Sequence, residues 1–336
     1  MSILFTISDL QKLIADITLP EFFKQAIAAL KDDFGRWQEY DMIPRVATHY
    51  PHGVIELMPI SDDTYYAYKY VNGHPYNPQD NKLTVTAVGM LADVASGYPL
   101  LISEMTVLTA IRTAATSALA STYLAKKKSA NFGIVGTGSQ AEFQAIAHQV
   151  ALGIEHVFYY DLDPDAMAKF EQNLAGYDLQ LTACSSVEEV VAASDLVTTA
   201  TADKAAARIL HDAMIKKGMH INGIGGDCPG KTEVGINLLK RSKIVVEYID
   251  QSIIEGEIQN LTPDDVYAEL WQLVCGDKPG RESEDEVTLF DSVGIALEDY
   301  SILRLVYKLI TERQLGRQVD LIPQLEDPKN LFGLLV

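Results

Sequence analysis

One carboxylate, Asp227, stands in the run Gly223-Ile224-Gly225-Gly226-Asp227-Cys228-Pro229-Gly230-Lys231-Thr232-Glu233, directly after an apolar strand-like segment. The carboxyl end of a strand is where open α/β sheets bind ligands, and a carboxylate there can move protons for a bound substrate. The competing reading is an Asp that closes the turn and caps a helix from Thr232. Cys228 has no obvious base near it in sequence and reads as a small buried filler.

Upstream, Phe132-Gly133-Ile134-Val135-Gly136-Thr137-Gly138-Ser139-Gln140-Ala141 is a strand running into Gly-x-Gly-x-x-Ala. Gly136 would make a tight turn, Gly138 would let a pyrophosphate approach the backbone, and Ala141 would allow close helix–strand packing. The following helix start offers free N–H groups and the positive end of its dipole. Asp161 ends the next strand, about 23 residues beyond Gly138. A carboxylate there hydrogen-bonds a ribose 2′-hydroxyl and repels a 2′-phosphate, so NAD is favoured over NADP. The alternative is a structural strand–turn–helix unit with a capping Asp. Redox chemistry beside a nicotinamide, with Asp227 as proton carrier, is the reaction class these two loops suggest together.

Several charges fall on apolar faces. Met105, Leu108, Ala115 and Leu119 form a stripe at helical spacing, and Arg112 lies on it. A buried guanidinium needs an anion, either a ligand or a core Asp or Glu. Strand alternation puts Lys69 with Ala67 and Val71, Glu56 with Val54 and Met58, and Arg45 with Ala47 and His49. Each alone reads as an edge or snorkelling charge. Together they could converge on a small polar ligand.

Positioning these residues requires two kinds of structure. Residues 1–40 read as two short helices, the first capped by Ser8 or Asp9. Segments 54–58, 65–71 and 83–91 read as strands, and 104–125 as a long helix. The strands 131–136, 156–160, 195–200, 219–224 and 243–247, with helices 139–152 and 164–174, alternate as in a doubly wound parallel sheet. A last long helix, 292–313, returns to the first part. The expected fold is therefore α/β, with a Rossmann-type NAD-binding domain at 126–291. A discontinuous second α/β domain, at 1–125 and 292–336, would bind substrate and dimerise.

The bulk numbers narrow the class. The 336 residues are 48% apolar and 22% charged, with net charge −19, enough for two domains and unsuited to nucleic acid. The negative charge mildly favours a cationic small molecule, or serves solubility alone. Cys184, Cys228 and Cys275 stand far apart, which suggests free thiols. The start MSILFTISDL does not read as a signal peptide, and no long apolar run suggests a membrane span. A cytoplasmic protein without metal is the expectation.

The segments Arg45-Val46-Ala47, Gly53-Val54-Ile55-Glu56-Leu57-Met58-Pro59 and Lys69-Tyr70-Val71-Asn72-Gly73-His74-Pro75 resemble the ornithine cyclodeaminase/mu-crystallin family. So do Leu91-Ala92-Asp93, Arg112-Thr113-Ala114-Ala115-Thr116-Ser117, Phe290-Asp291-Ser292-Val293-Gly294 and the run around Asp227, across nearly the whole chain. The run around Asp227 and Asn72-Gly73-His74 look like the bacterial cyclodeaminase branch. The resemblance implies a homodimer with catalytic NAD and a redox-neutral conversion of L-ornithine to L-proline and ammonia. It implies that Asp227 is the acid/base near the side-chain amine, with Glu56 close by. It implies that Arg45, Lys69 and Arg112 surround the substrate carboxylate and that Val293 touches substrate. Thr84, Arg112, Gly136, Gly138, Ser139, Gln140, Asp161, Thr201, Asn222, Gly223, Ile224, Gly225, Lys231 and Ser292 would line the NAD. Other members of such a family are the alternatives: a ketimine reductase, an amino-acid dehydrogenase, a lysine cyclodeaminase, or a non-catalytic mu-crystallin-like ligand binder.

Overall fold

The computed structural model describes residues 2–201, 208–226 and 228–336. Asp227 lies outside the described residues. Among them the chain forms two eight-stranded sheets.

The first sheet is built from β1 (Ser2–Phe5), β2 (Asp41–Met42), β3 (Val46–Tyr50), β4 (Gly53–Ser61), β5 (Tyr65–Gly73), β6 (Val85–Asp93) and β7 (Pro99–Glu104). It is antiparallel except where β1 runs parallel to β7. Alternation works as expected along β5. Ala67, Lys69 and Val71 are buried, while Tyr66 and Tyr70 face outward. Helices α1 (Ile7–Ile17) and α2 (Leu19–Gly35) pack on the inner face side of the molecule. The cap of α1 is Thr6, and Asp9 is the third helical residue of a capping box. Ser8 and Asp9 therefore do not occupy the cap position expected for one of them, because the Thr6–Asp9 pair satisfies the N-terminal amides reciprocally.

The chain leaves this sheet through α3 (Thr106–Leu124), whose Ala, Ser and Thr residues allow close packing on nearly every side. The second sheet comprises β8 (Asn131–Val135), β9 (His156–Tyr160), β10 (Gln180–Ala183), β11 (Leu196–Thr199), β12 (His220–Gly223), β13 (Lys243–Val246), β14 (Ala268–Glu269) and β15 (Thr288–Asp291). Its order is β10-β9-β8-β11-β12-β15-β13-β14, all parallel. Adjacent residues bury on opposite faces: Leu196, Val245 and Phe290 in one cluster, Val197, Ile244 and Leu289 in the other. A parallel sheet covered on both faces is doubly wound, with its connections in α4 (Ala141–Leu152), α5 (Pro164–Leu174), α6 (Val187–Ala193), α7 (Ile236–Arg241), α8 (Ile249–Glu255) and α9 (Leu270–Cys275).

The last long helix, α10 (Ala296–Arg313), lies on β4, β5 and β6 and delivers β16 (Arg317–Val319) to β1. It starts four residues later than the pattern suggests. The Glu247 carboxylate accepts the N–H groups of Val293 and Gly294, at 2.9 and 2.6 Å, and holds them in a loop. No described helix is long and apolar enough to cross a membrane.

Candidate active site

The strand order reverses direction between β8 and β11, and their carboxyl ends open there into a crevice. Gly136 follows β8 with φ +95°, and a Cβ on it would stand 2.6 Å from the Ala200 carbonyl oxygen. Only glycine fits this turn. No side chain caps the start of α4 at Gln140, where the Ala141 N–H turns back to the Gly138 carbonyl, and the buried Gln140 Oε1 has no hydrogen-bond partner. Asp161, just past β9, accepts the Thr137 N–H at 2.6 Å. These features fit a dinucleotide: an uncapped helix start for the pyrophosphate, and a carboxylate at the neighbouring strand end for a ribose.

Across the crevice, Lys231 Nζ donates to the Thr201 carbonyl at 3.1 Å, and Thr201 N–H donates to Glu233 at 3.1 Å. Beneath the Gly223–Gly226 turn, buried acids accept backbone amides in series. Asp291 takes those of Glu257 and Ile258, and Glu257 takes those of Glu233 and Val234. Burial pushes the Glu257 carboxyl up to about 7, with the Glu233 charge adding to it, and that of Asp291 well above the usual carboxylate range, with the Glu257 charge adding to it.

Ser292 joins this edge to a second group of charges. Its N–H donates to the Gly223 carbonyl at 2.9 Å, and its hydroxyl to Glu247 at 2.6 Å. Two residues on, the Gly294 carbonyl accepts Arg45 Nη2 at 2.7 Å, and the Val293 carbonyl accepts the same nitrogen. Arg45 also meets Glu56 at 3.1 Å and Glu255 at 3.1 Å. Lys69 Nζ meets Asp299 at 2.9 Å. Arg112 meets Glu298 at 2.5 Å and Asp299 at 3.0 Å. Arg45 precedes β3, Glu56 is on β4, Lys69 on β5, Arg112 on α3, and the two acids open α10. All of these side chains are buried.

Behind the sheet is a neutral polar network. His148, His220, Ser121, Asn222 and Thr198 interact at 3.1–3.3 Å without exposure to solvent. Burial lowers His148 to about 4 and His220 to about 3, so both rings are uncharged near neutral pH.

The structure therefore gathers Gly136, Gly138, Ser139, Gln140, Asp161, Thr201, Gly223, Ile224, Gly225, Lys231 and Ser292 along one edge of the second sheet. Arg45, Glu56, Lys69, Arg112 and Val293 lie beyond the Ser292 end of it. Asn222 differs: its side chain points into the buried histidine network. Thr84 sits at the loop end of the β5–β6 hairpin, where its carbonyl accepts the His74 N–H at 2.8 Å. Cys228 is half-buried, not the fully buried filler expected, since the turn around it remains partly open. Glu247, Glu255, Glu298 and Asp299 are not among the residues that the sequence singles out. For Asp299 a signal existed: it shares the helical stripe of Ile295, Ile302 and Val306, the same pattern that singled out Arg112.

The ornithine cyclodeaminase/mu-crystallin family model matches residues 9–314. An ornithine cyclodeaminase of Agrobacterium fabrum is 49% identical over 331 residues, covering 98% of this chain and 94% of that protein. Among solved structures, a lysine cyclodeaminase that recognises L-lysine, L-ornithine and L-2,4-diaminobutyric acid superposes with TM-score 0.92 at 27% identity, covering 99% of each chain. An archaeal alanine dehydrogenase dimer with bound NAD superposes with TM-score 0.87 at 30% identity, covering 96% of this chain and 99% of that one. On the match along most of its length, the chain belongs to the ornithine cyclodeaminase/mu-crystallin family.

Proposed function

We propose that this protein is an NAD-dependent ornithine cyclodeaminase that converts L-ornithine to L-proline and ammonia. The observation that carries the reading is the Ser292–Gly294 segment, which ties the carboxyl edge of the dinucleotide-type sheet directly to buried Arg45, with Lys69 and Arg112 alongside. An amino acid held by those cations would present its Cα to that edge. Residues 126–291 would form the cofactor unit, and 1–125 with 292–336 the substrate unit.

Gly136, Gly138, Ser139 and Gln140 would hold the pyrophosphate of NAD, and Asp161 its ribose. Thr201, Gly223, Ile224, Gly225, Lys231 and Ser292 would line the nicotinamide half, with Asn222 acting from beneath and Thr84 from the hairpin. When bound, NAD supplies the reversible removal of two electrons and a hydrogen from Cα, so no net oxidant is consumed.

Lys69 and Arg112 bind the α-carboxylate, with neutralisation of a phosphate the alternative role of Arg112. Arg45 can join them only by exchanging one of its internal acceptors, since its guanidinium already serves two carboxylates and two carbonyls. Holding the carboxylate at several points fixes Cα and the side chain, and orientation of this kind is a large part of the rate. Asp227 accepts a proton from the δ-ammonium, so the amine can attack the α-imine carbon and the α-nitrogen can leave as ammonia. Glu56 adds negative charge beside that cation, and Val293 packs against the substrate. Incubation of the NAD-loaded protein with L-ornithine and with L-lysine tests this. Ammonia and proline in equal amounts from ornithine support the reading. Ammonia with accumulating NADH and no cyclic product would instead mark an amino-acid dehydrogenase.

The active unit is proposed to be a homodimer. On the outer face of the first sheet, Val46, Leu57, Tyr70 and Val88 form one cross-strand row, each at least 40% exposed. Such a contiguous apolar face marks an interaction surface, and the archaeal alanine dehydrogenase neighbour is a dimer. Tyr70→Asp combined with Val88→Asp is expected to give monomers in sedimentation velocity where the parent gives dimers. An unchanged dimer would place the interface elsewhere. A cytoplasmic setting accords with three cysteines outside any disulfide, and a role in proline formation with the proposed product.

A further inference from the structure

Lys69 and Arg112 stand side by side in the interior, with relative exposures of 1% and 4%. Like charges so placed repel, and each has given up its hydration. One carboxylate oxygen answers both: Asp299 Oδ1 is 2.9 Å from Lys69 Nζ and 3.0 Å from Arg112 Nε. The other oxygen, Oδ2, is buried and has no hydrogen-bond partner. An ammonium has three donors and a guanidinium five, so Asp299 engages one donor of each and leaves others for a ligand.

A separate feature of the packing brings the carboxylate there. Lys69 is paired across the sheet with Gly89. A Cβ on Gly89 would stand 2.7 Å from Met105 and 3.0 Å from Leu303, so the glycine lets α10 settle onto β6. Asp299 lies one helical turn before Leu303, directly above Lys69. The register of β5 with β6 and the phase of α10 thus agree on this one contact.

We propose that Asp299 is a positioning residue of the amino-acid carboxylate site, keeping Lys69 protonated and locked beside Arg112 so that both cations meet the substrate together. The proposal rests on the cyclodeaminase reading of this same site. The charges facing Lys69 are Arg112 of α3, Arg45 before β3 and Asp299 of α10, while Glu298 and Glu247 act on Arg112. Burial and the two arginines push Lys69 down to about 8, and Asp299 opposes them. The sign is then fixed. The Lys69 cation is present below its pKa and lost above it, and removal of the Asp299 charge moves that loss to lower pH.

The test is kcat/KM for L-ornithine from pH 6 to 10 in the NAD-loaded parent and in Asp299→Asn, with NAD binding confirming that each is folded. Asp299→Asn should move the alkaline limb down by about one pH unit or more. At pH 8 it should raise KM about tenfold, with a smaller change in kcat. Asp299→Glu, which keeps the charge, should retain the parent limb, and it decides the matter if the Asn variant does not fold. In a Lys69→Arg background, where the cation cannot lose its proton, Asp299→Asn should leave the limb where it is. An alkaline limb of folded Asp299→Asn that coincides with the parent's overturns the proposal, as does a shifted limb in Asp299→Glu. A parent that releases no ammonia or proline from ornithine overturns the functional reading instead.

Discussion

Asp227→Ala is expected to lower kcat on L-ornithine by about 10²–10⁴-fold while leaving NAD binding, followed by fluorescence titration, close to that of the parent. A side-chain amine with a pKa near that of lysine, about 10.4, is almost wholly protonated at neutral pH and cannot attack an imine. Glu56 is poorly placed to take over, because its carboxylate is paired with Arg45 at 3.1 Å. The same logic gives a rescue. Turnover of the Ala variant should rise with pH toward 10 more steeply than the parent's, as solvent removes the proton the missing carboxylate would have taken. Near-normal turnover at neutral pH would remove Asp227 from the reaction.

Arg112→Met should be among the most destabilising single changes in the chain. The guanidinium is buried against Glu298 and Asp299, and breaking a buried pair from one side costs about 3–5 kcal/mol. Methionine fills similar volume, so the loss reports charge and hydrogen bonds more than cavity. The figure belongs at the lower end of the range. Glu298, pushed well above its ordinary pKa by burial and by Glu247, can stay neutral by holding a proton, and Asp299 keeps Lys69. Arg112→Lys should fall between parent and Met, since it restores charge without the fork that reaches both acids. Urea unfolding at neutral pH provides the comparison. A Met variant within about 0.5 kcal/mol of the parent would mean that the cluster is not held by Arg112.

What the sequence revealed, and what it hid, follows from the range of the interactions. Lys69 was legible because strand alternation is local: Ala67 and Val71 flank it on the buried face. Arg112 was legible because it interrupts an apolar helical stripe, and the Gly136 loop because its strand, turn and helix are contiguous. Of the partners of those cations only Asp299 carries such a mark, on the apolar stripe of α10, and the others are not legible in that way. Glu247, Glu255, Glu298 and Asp299 lie far along the chain from Arg45, Lys69 and Arg112, and no periodicity links one to another. The same holds for Asp291, Glu257 and Glu233, whose carboxylates take amides of other segments. Short elements were missed for a related reason. β1 and β10 have four residues each and are defined by partners distant in sequence. The start of α10 was misplaced because the carboxylate of Glu247, just past the end of β13, captures amides that would otherwise enter the helix.

In the proposed reaction the electrons taken from the substrate return to the product within one binding event. L-ornithine deuterated at Cα tests this most directly, with the purified protein and NAD in substoichiometric amount. The expected product is L-proline that carries the deuterium at Cα, with one ammonia per proline and no accumulation of free NADH. Proline with hydrogen at Cα, or ammonia released in step with free NADH, would contradict it.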